Sequence, residues 1–168
     1  INDKYNLKQA LANHAARAAE KLRSQDSLCG EICVFINTSR FRKKDLQYNN
    51  SAILPFDDLT DNTNIIMKNA FKVLDRLYRS NYNYKKIGVI LLNLKQRKKD
   101  VKNKNYVIQD NLFTYDKNYK NIADASDICM EILDDINTKM GKMTLFYGSQ
   151  GIVKHSGRKK IEKDKWRM

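Results

Sequence analysis

Apolar residues recur along the chain with two different spacings. In three segments they return every three or four positions, which is the period of an amphipathic helix. These segments are residues 6–24, 59–80 and 122–141. The first opens with Asn6 and Gln9 in the arrangement of a capping box, and the last ends at Gly141, which suits a helix C-cap. Asp134 and Asp135 are expected on the solvent face of the third helix.

Shorter segments rich in β-branched and aromatic residues predict strands. Residues 31–39 and 46–55 form two of them, joined by a basic loop, and the only proline, Pro55, is expected to end the second. Residues 84–94 are apolar on both faces, as in a central strand that is buried on both sides. A further short strand is expected at residues 143–147.

The order of these elements predicts an α+β fold in three parts. Residues 1–95 read α-β-β-α-β, a split βαββαβ sandwich whose first strand would precede residue 1, with two helices on one face of an antiparallel or mixed sheet. Residues 96–120 have no sustained period and few apolar groups, which indicates a flexible linker. Residues 121–168 form a small helix-strand region that buries too little alone and is expected to dock elsewhere.

The charge of the chain narrows the class of partner. The 168 residues carry a formal net charge of +13, which favours polyanions because bound phosphates release their counterions. Nucleic acid is the first expectation and an anionic membrane surface the second. No apolar run approaches the roughly 20 residues of a membrane span, and no signal-peptide core is present, so a cytoplasmic location is predicted.

The cysteines and paired aspartates of this chain are best explained by structural roles, without catalysis or metal binding. Cys29, Cys33 and Cys129 are odd in number and lie in apolar segments, which is typical of reduced, buried thiols. The adjacent Asp57 and Asp58 are expected to stabilise the N-terminus of the following helix. No nucleophile, phosphate-loop or metalloprotease motif is present, so no catalytic residue, metal ligand or cofactor is assigned.

Five stretches together resemble the C-terminal part of the UmuC-type catalytic subunits of the SOS-induced translesion DNA polymerase V, of the Y family. They are HAARAAEKLRSQ (14–25), VFINTSRF (34–41), NNSAILPFDDLTDNT (49–63), VLDRLYRSNYNYKKIGVILLNL (73–94) and GKMTLFYGSQGI (141–152). The resemblance implies a little-finger domain without its first strand, followed by a UmuC-type C-terminal region. It also implies a non-catalytic fragment, because the palm carboxylates that hold Mg²⁺ in a DNA-directed DNA polymerase are not among these residues.

One pentapeptide in the predicted linker resembles the QLxLF-type motif by which bacterial polymerases bind the sliding clamp, the β subunit of the replicase. Its residues are Gln109, Asp110, Asn111, Leu112 and Phe113. Only Asp110 departs from the pattern. Leu112 and Phe113 would enter an apolar pocket on the clamp; the alternative is that they fold back onto this chain.

The resemblance also implies that the sheet lies along the DNA major groove and grips phosphates without reading sequence. The predicted DNA-binding residues are Thr38, Ser39, Arg40, Arg42, Lys43, Lys44, Asn50, Ser51, Lys85 and Lys86. Processed UmuD and RecA are further implied partners of the parent enzyme, in SOS mutagenesis and DNA repair. A rival from another class is an RNA-recognition module, which shares the element order but has an aromatic signature that this chain lacks.

Overall fold

A three-stranded sheet and three helices make up the structure, a computed structural model that describes residues 3–42, 45–97 and 117–151, with side chains of the last helix from residue 126 onward. The elements are α1 (Lys4–Ser24), β1 (Ser27–Thr38), β2 (Asn49–Thr60), α2 (Thr63–Leu77), β3 (Tyr84–Gln96), α3 (Lys117–Met140) and a 3₁₀ turn (Gly148–Gln150). The α+β prediction is confirmed, as is the order α-β-β-α-β of the first part.

The sheet is antiparallel throughout, with β1 between the other two strands. Alternate residues of β1 face opposite ways, and Ile32, Val34 and Ile36 are completely buried on one face. Both helices cover that face: α1 contributes closely packed alanines and α2 a stripe of larger residues to the same core. The predicted placement of two helices on one side of the sheet is therefore confirmed.

Two strand predictions are wrong because they ignored which strands lie at the edges. β3 is an edge strand in the described sheet, and its residues Ile90 and Leu94 are 49% and 55% exposed. β2 does not end at Pro55 but continues to Thr60. Proline is tolerated there because β2 is also an edge strand and its register with β1 shifts beside this position.

The helix starts also differ from the sequence-based expectation. The N-cap of α1 is Asp3, whose side chain accepts a hydrogen bond from the Tyr5 N–H, so the predicted Asn6 capping box is wrong. Asn62 caps α2 and accepts hydrogen bonds from two backbone N–H groups of the first turn. Asp57 and Asp58 lie earlier, exposed on β2, and do not stabilise this helix end.

The C-terminal region contains a helix but no strand at residues 143–147. The Asn137 side chain instead forms hydrogen bonds with both backbone polar groups of Leu145. Its amide oxygen accepts from the Leu145 N–H, and its amide nitrogen donates to the Leu145 carbonyl, both at 2.9 Å. Met140 is the last residue of α3, and Gly141 follows with φ +108°, as the C-cap prediction required. α3 begins at Lys117, inside the range predicted as linker.

Arg23 at the end of α1 attaches α3 to the rest of the molecule. Its guanidinium donates to both carboxylate oxygens of Asp134, at 2.6 and 2.8 Å, and also to the Asp61 carbonyl and the Thr63 hydroxyl. Asp134 is therefore not on the solvent face as predicted, whereas Asp135 is, with its side chain 72% exposed. A bond between the side chains of Asn62 and Ser126 adds a second attachment.

Asp61 places a carboxylate beside this attachment. The residue is only 4% exposed, and the Arg97 guanidinium donates to its carboxylate at 2.5 Å. Burial raises the pKa of the Asp61 carboxyl, and the positive charges of Arg97 and Arg23 offset only part of that rise. Arg97, at the start of the predicted linker, is thus held beside Asp61.

The three cysteines are free thiols in different surroundings. Cys29 is completely buried, and burial raises the pKa of its thiol to about 12. Cys33 is half-buried, and Cys129 is exposed on α3, so the prediction of buried thiols is wrong for Cys129. Among the described residues, no helix has the length and apolar character needed to cross a membrane.

Replacing Arg23 with methionine should release α3. The substitution removes the guanidinium and leaves Asp134, whose side chain is 29% exposed, without its partner. Breaking a partly buried pair of this kind weakens docking by about 3 kcal/mol. Hydrogen exchange of α3 amides should become faster while that of β1 stays unchanged. Lys21→Met, on the exposed side of the same helix, is the control, and unchanged protection of α3 in Arg23→Met would contradict the prediction.

Candidate nucleic-acid interface

Antiparallel pairing brings the predicted DNA-binding residues to one end of the sheet. β1 ends where β2 and β3 begin, and Asn37 on β1 is paired with Asn49 on one side and Lys86 on the other. The segments that carry Thr38 to Arg42, Asn50 and Ser51, and Lys85 and Lys86 therefore lie together. We call this the hairpin end of the sheet.

The cationic side chains of the hairpin end reach solvent. Arg40, Arg42, Lys85 and Lys86 are all exposed. Within the described part of the chain, the carboxylate paired with Arg42 is that of Asp45, at 3.8 Å, a distance that leaves the charge of Arg42 largely uncompensated. Lys43 and Lys44 lie outside the described residues. An accessible cluster of this kind offers a surface for phosphates.

The polar residues predicted beside these cations have more local roles. Thr38 is only 8% exposed, and its hydroxyl accepts a hydrogen bond from the Tyr48 N–H at 2.9 Å, which closes the hairpin. Asn50 donates to the Tyr48 hydroxyl and accepts from the Ser51 N–H. Ser39 is half-buried, whereas Ser51 is exposed on the face of the sheet opposite the helices.

Four tyrosines that the sequence interpretation missed fix the hairpin end against α2. Tyr48, Tyr78, Tyr82 and Tyr84 form a connected cluster, with ring centroids 5.0 to 6.2 Å apart. The Tyr48 hydroxyl donates to the Leu77 carbonyl, and the Tyr84 hydroxyl donates to the Arg79 carbonyl, each at 2.8 Å. Burial raises the pKa of the Tyr84 phenol. The tyrosine cluster therefore forms a packed support for the exposed cations. The close spacing of tyrosines at residues 78–84 of the sequence could have indicated this cluster.

The second part of the candidate interface is the face of the sheet that no described helix covers. Phe35 lies at its centre on β1, directly opposite Gly88, and a Cβ atom at position 88 would come within 2.5 Å of the Phe35 ring. Ile53 and Ile90, which flank Cys33 in the register, are 56% and 49% exposed. This face is apolar in the middle, with cations at one end.

One polar atom near the hairpin end is buried and has no partner among the described residues. It is the side-chain oxygen of Asn37, between Asn49 and Lys86 in the register. A buried acceptor without a donor is unfavourable and is compensated when a ligand or water donates to it. Among the described residues, no group of three or more His, Cys, Asp or Glu side chains could hold a metal ion.

Comparison with known proteins identifies the family. The model of the impB/mucB/samB family C-terminal domain matches residues 1–105, more than half of the chain. The chain belongs to this family. A second model, a domain of unknown function (DUF4113), matches residues 129–168. The predicted boundaries at residues 95 and 120 are not tested by these matches and stay predictions.

Individual relatives agree with the family model. The chain is 36% identical over 152 residues to protein UmuC of Salmonella typhimurium. The aligned residues make up 90% of this chain and 33% of that protein. It is 34% identical over 146 residues to protein MucB of Escherichia coli, an alignment that covers 87% of this chain and 31% of that protein. It is 30% identical over 151 residues to protein ImpB of Salmonella typhimurium, with 90% of this chain and 32% of that protein covered. The chain thus spans about a third of the length of these relatives, and the predicted resemblance to a UmuC-type C-terminal part is confirmed.

Gly88→Ala should destabilise the sheet by about 1 kcal/mol, because the new methyl group would overlap the Phe35 ring. Gly148→Ala is the matched control, since nothing lies within 4 Å of a Cβ placed there. Urea unfolding followed by circular dichroism measures both, and adding Phe35→Leu to Gly88→Ala should restore much of the loss. Equal stabilities of Gly88→Ala and Gly148→Ala would show that Phe35 moves aside freely.

Proposed function

We propose that this chain is the non-catalytic, DNA-gripping and clamp-tethering part of an error-prone translesion DNA polymerase of the Y family. The observation that carries the proposal is the hairpin end of the sheet, where exposed cations adjoin an uncovered sheet face in a member of the impB/mucB/samB family. The parent enzyme would act in the cytoplasm during the SOS response. Its palm carboxylates and Mg²⁺ would lie in the two thirds of the relatives' length that this chain does not span.

The charges at the hairpin end suit binding without sequence specificity. Arginine and lysine side chains on flexible stems contact phosphates at many positions along a duplex, and each contact releases counterions. The uncovered face would lie against the groove, with the polar edge at Ser51 and Lys86 nearest the backbone. The family model and relatives give no support to the alternative of an RNA-recognition module.

The double variant Arg40→Ala/Arg42→Ala should bind DNA more weakly than the native chain, by the same factor for every DNA sequence. We expect the slope of log affinity against log salt to fall by about 1 to 2, since each lost phosphate contact removes nearly one unit. Fluorescence anisotropy with labelled primer-template DNA at several salt concentrations measures this slope.

The control for this experiment removes the same net charge elsewhere. Arg17→Ala/Lys21→Ala deletes two exposed cations from α1, on the helical side of the molecule. We expect its salt slope to remain close to that of the native chain. Equal losses in the two double variants would show that net charge governs binding and would contradict the proposed interface.

Clamp tethering is proposed for the pentapeptide at residues 109–113, which lies outside the described residues. Its support comes from the sequence motif and from its position in a connection between two segments that are each bonded to the rest of the molecule. Arg97 binds Asp61, and α3 binds Arg23, which also donates to the Asp61 carbonyl. The 19 residues between the described segments span at most about 65 Å at full extension. A motif on this tether would keep the polymerase close to the clamp while it leaves and rejoins DNA.

The double variant Leu112→Ala/Phe113→Ala should bind the bacterial sliding clamp at least about tenfold more weakly than the native chain, because anchor residues dominate peptide recognition. Surface plasmon resonance on immobilised clamp measures the change. Val101→Ala/Tyr106→Ala, which shortens two apolar side chains of the same connection outside the motif, should bind normally.

No binding by the native chain would assign Leu112 and Phe113 to packing within the molecule and would leave the DNA grip as the remaining function. The proposed engagement of processed UmuD and the RecA filament belongs to the parent enzyme. It rests on the family alone, without assigned residues in this chain.

A further inference from the structure

An apolar surface remains uncovered on the side of the molecule formed by α3. Ile128 and Ile132, one helical turn apart, are 55% and 52% exposed, and Leu145 and Phe146 after the helix are 43% and 40% exposed. Beside them runs a groove of about 600 Å³, which we call the α3 groove. Its lining includes Asn62, Met130, Ile132, Leu133, Leu145 and Phe146. A single exposed apolar residue is ordinary, but a contiguous patch with a groove indicates a docking surface.

The charges next to the α3 groove are negative, in contrast to the rest of the chain. Residues 126–140 contain four acidic side chains and one lysine, in a protein with a net charge of +13. Of these four, Asp134 is bonded to Arg23, and Asp135 lies 3.5 Å from the exposed Lys139. Glu131 and Asp135 are exposed and lie three positions from Ile128 and Ile132, so they flank the apolar strip on the helix surface. This surface repels phosphates and attracts a cationic segment that also carries apolar side chains.

Such a segment follows directly in the chain. Residues 152–168 carry seven lysines and arginines against two acidic residues, together with Ile152, Val153, Ile161 and Trp166. We call these residues the basic tail. The tail begins after Gly151, four positions from Tyr147, which itself lines the α3 groove. Gln150 is held in place by Asn13 on α1, so the start of the tail is fixed close to the groove.

We propose that the basic tail docks on the α3 groove of its own molecule, with Trp166 in the groove and its cations beside Glu131 and Asp135. The 17 residues of the tail span at most about 55 Å, which is ample for this path. A single family model matches residues 129–168, and so joins the exposed half of α3 to the tail as one unit. Small domains fold by burying the apolar residues of one segment against another.

Docking would also change which cations are available to DNA. While the tail lies on the acidic face of α3, its seven positive side chains are not free to contact phosphates. Variants that release the tail should therefore bind DNA more tightly at low salt, by a nonspecific route. The hairpin end of the sheet is unaffected by the tail in this arrangement.

Trp166 makes the proposal directly testable, because it is the only tryptophan in the chain. In the full chain, its emission should be shifted to shorter wavelength than that of N-acetyltryptophanamide, and acrylamide should quench it less. Ile132→Glu places a charge in the groove and should move both properties to those of the free amide. Ile90→Glu, at a site of similar exposure on the uncovered sheet face, should change neither.

A second pair of variants separates the charge contribution from the apolar one. Glu131→Lys/Asp135→Lys should loosen the tail, with a smaller red shift than Ile132→Glu. Asp57→Lys/Asp58→Lys makes the same change of charge on β2 and should leave the emission unchanged. These four variants alter exposed positions, and far-ultraviolet circular dichroism verifies that each is folded.

Three results would overturn the proposal. The first is emission and quenching in the native chain equal to those of the free amide. The second is a blue-shifted emission that Ile132→Glu leaves unchanged, which would place Trp166 elsewhere. The third is a blue shift that disappears on dilution, which would show that the tail occupies the groove of a second copy.

Discussion

The alternation of side chains along β1 is the constraint on which the rest of the structure depends. Because β1 is paired on both sides, its backbone polar groups are satisfied within the sheet, and its side chains are free to define two faces. Ile32, Val34 and Ile36 bind both helices on one face, and Phe35 is left on the other. A shift of one residue in register would exchange these faces and bury Glu31 and Asn37 in place of the core residues. The uncovered face and the hairpin end are therefore consequences of the same packing that forms the core.

Charge has two separate uses in this molecule. Among the described residues of the hairpin end, the arginines and lysines are exposed, and the ion pair of Arg42 with Asp45 is long, at 3.8 Å, so these charges can interact with a partner. Around Arg23 and Asp61 the charges are partly buried and hydrogen-bonded, and they hold segments of the chain together. A buried guanidinium left without its carboxylate is strongly unfavourable, so the second group specifies which elements meet. The bidentate geometry of Arg23 on Asp134 adds direction to that choice.

Local pattern was sufficient for the helices and for the fold class, because apolar residues at helical spacing identify the buried stripe of α2 without knowledge of its partners. The failures required information that is not local. The edge position of β3 depends on the order of strands, and Pro55 is tolerated only because β2 is an edge strand. Asp134 looked like a surface residue because its partner, Arg23, lies 111 positions away. For the candidate site, sequence found the cations but missed the tyrosines and Phe35, whose roles come from neighbours in space.

Acidic and basic side chains lie on different surfaces, so the charge of the protein is unevenly distributed. A charge of +13 spread evenly would give a charged partner no preferred orientation, whereas here acidic side chains lie on α3 and cations lie at the hairpin end of the sheet. The local potential, rather than the total charge, orients a binding partner as it approaches. Arg23 is the link between the two surfaces, since it attaches the acidic helix to the domain whose sheet carries the cations. Stability of that attachment therefore also fixes where the acidic surface lies relative to the cations.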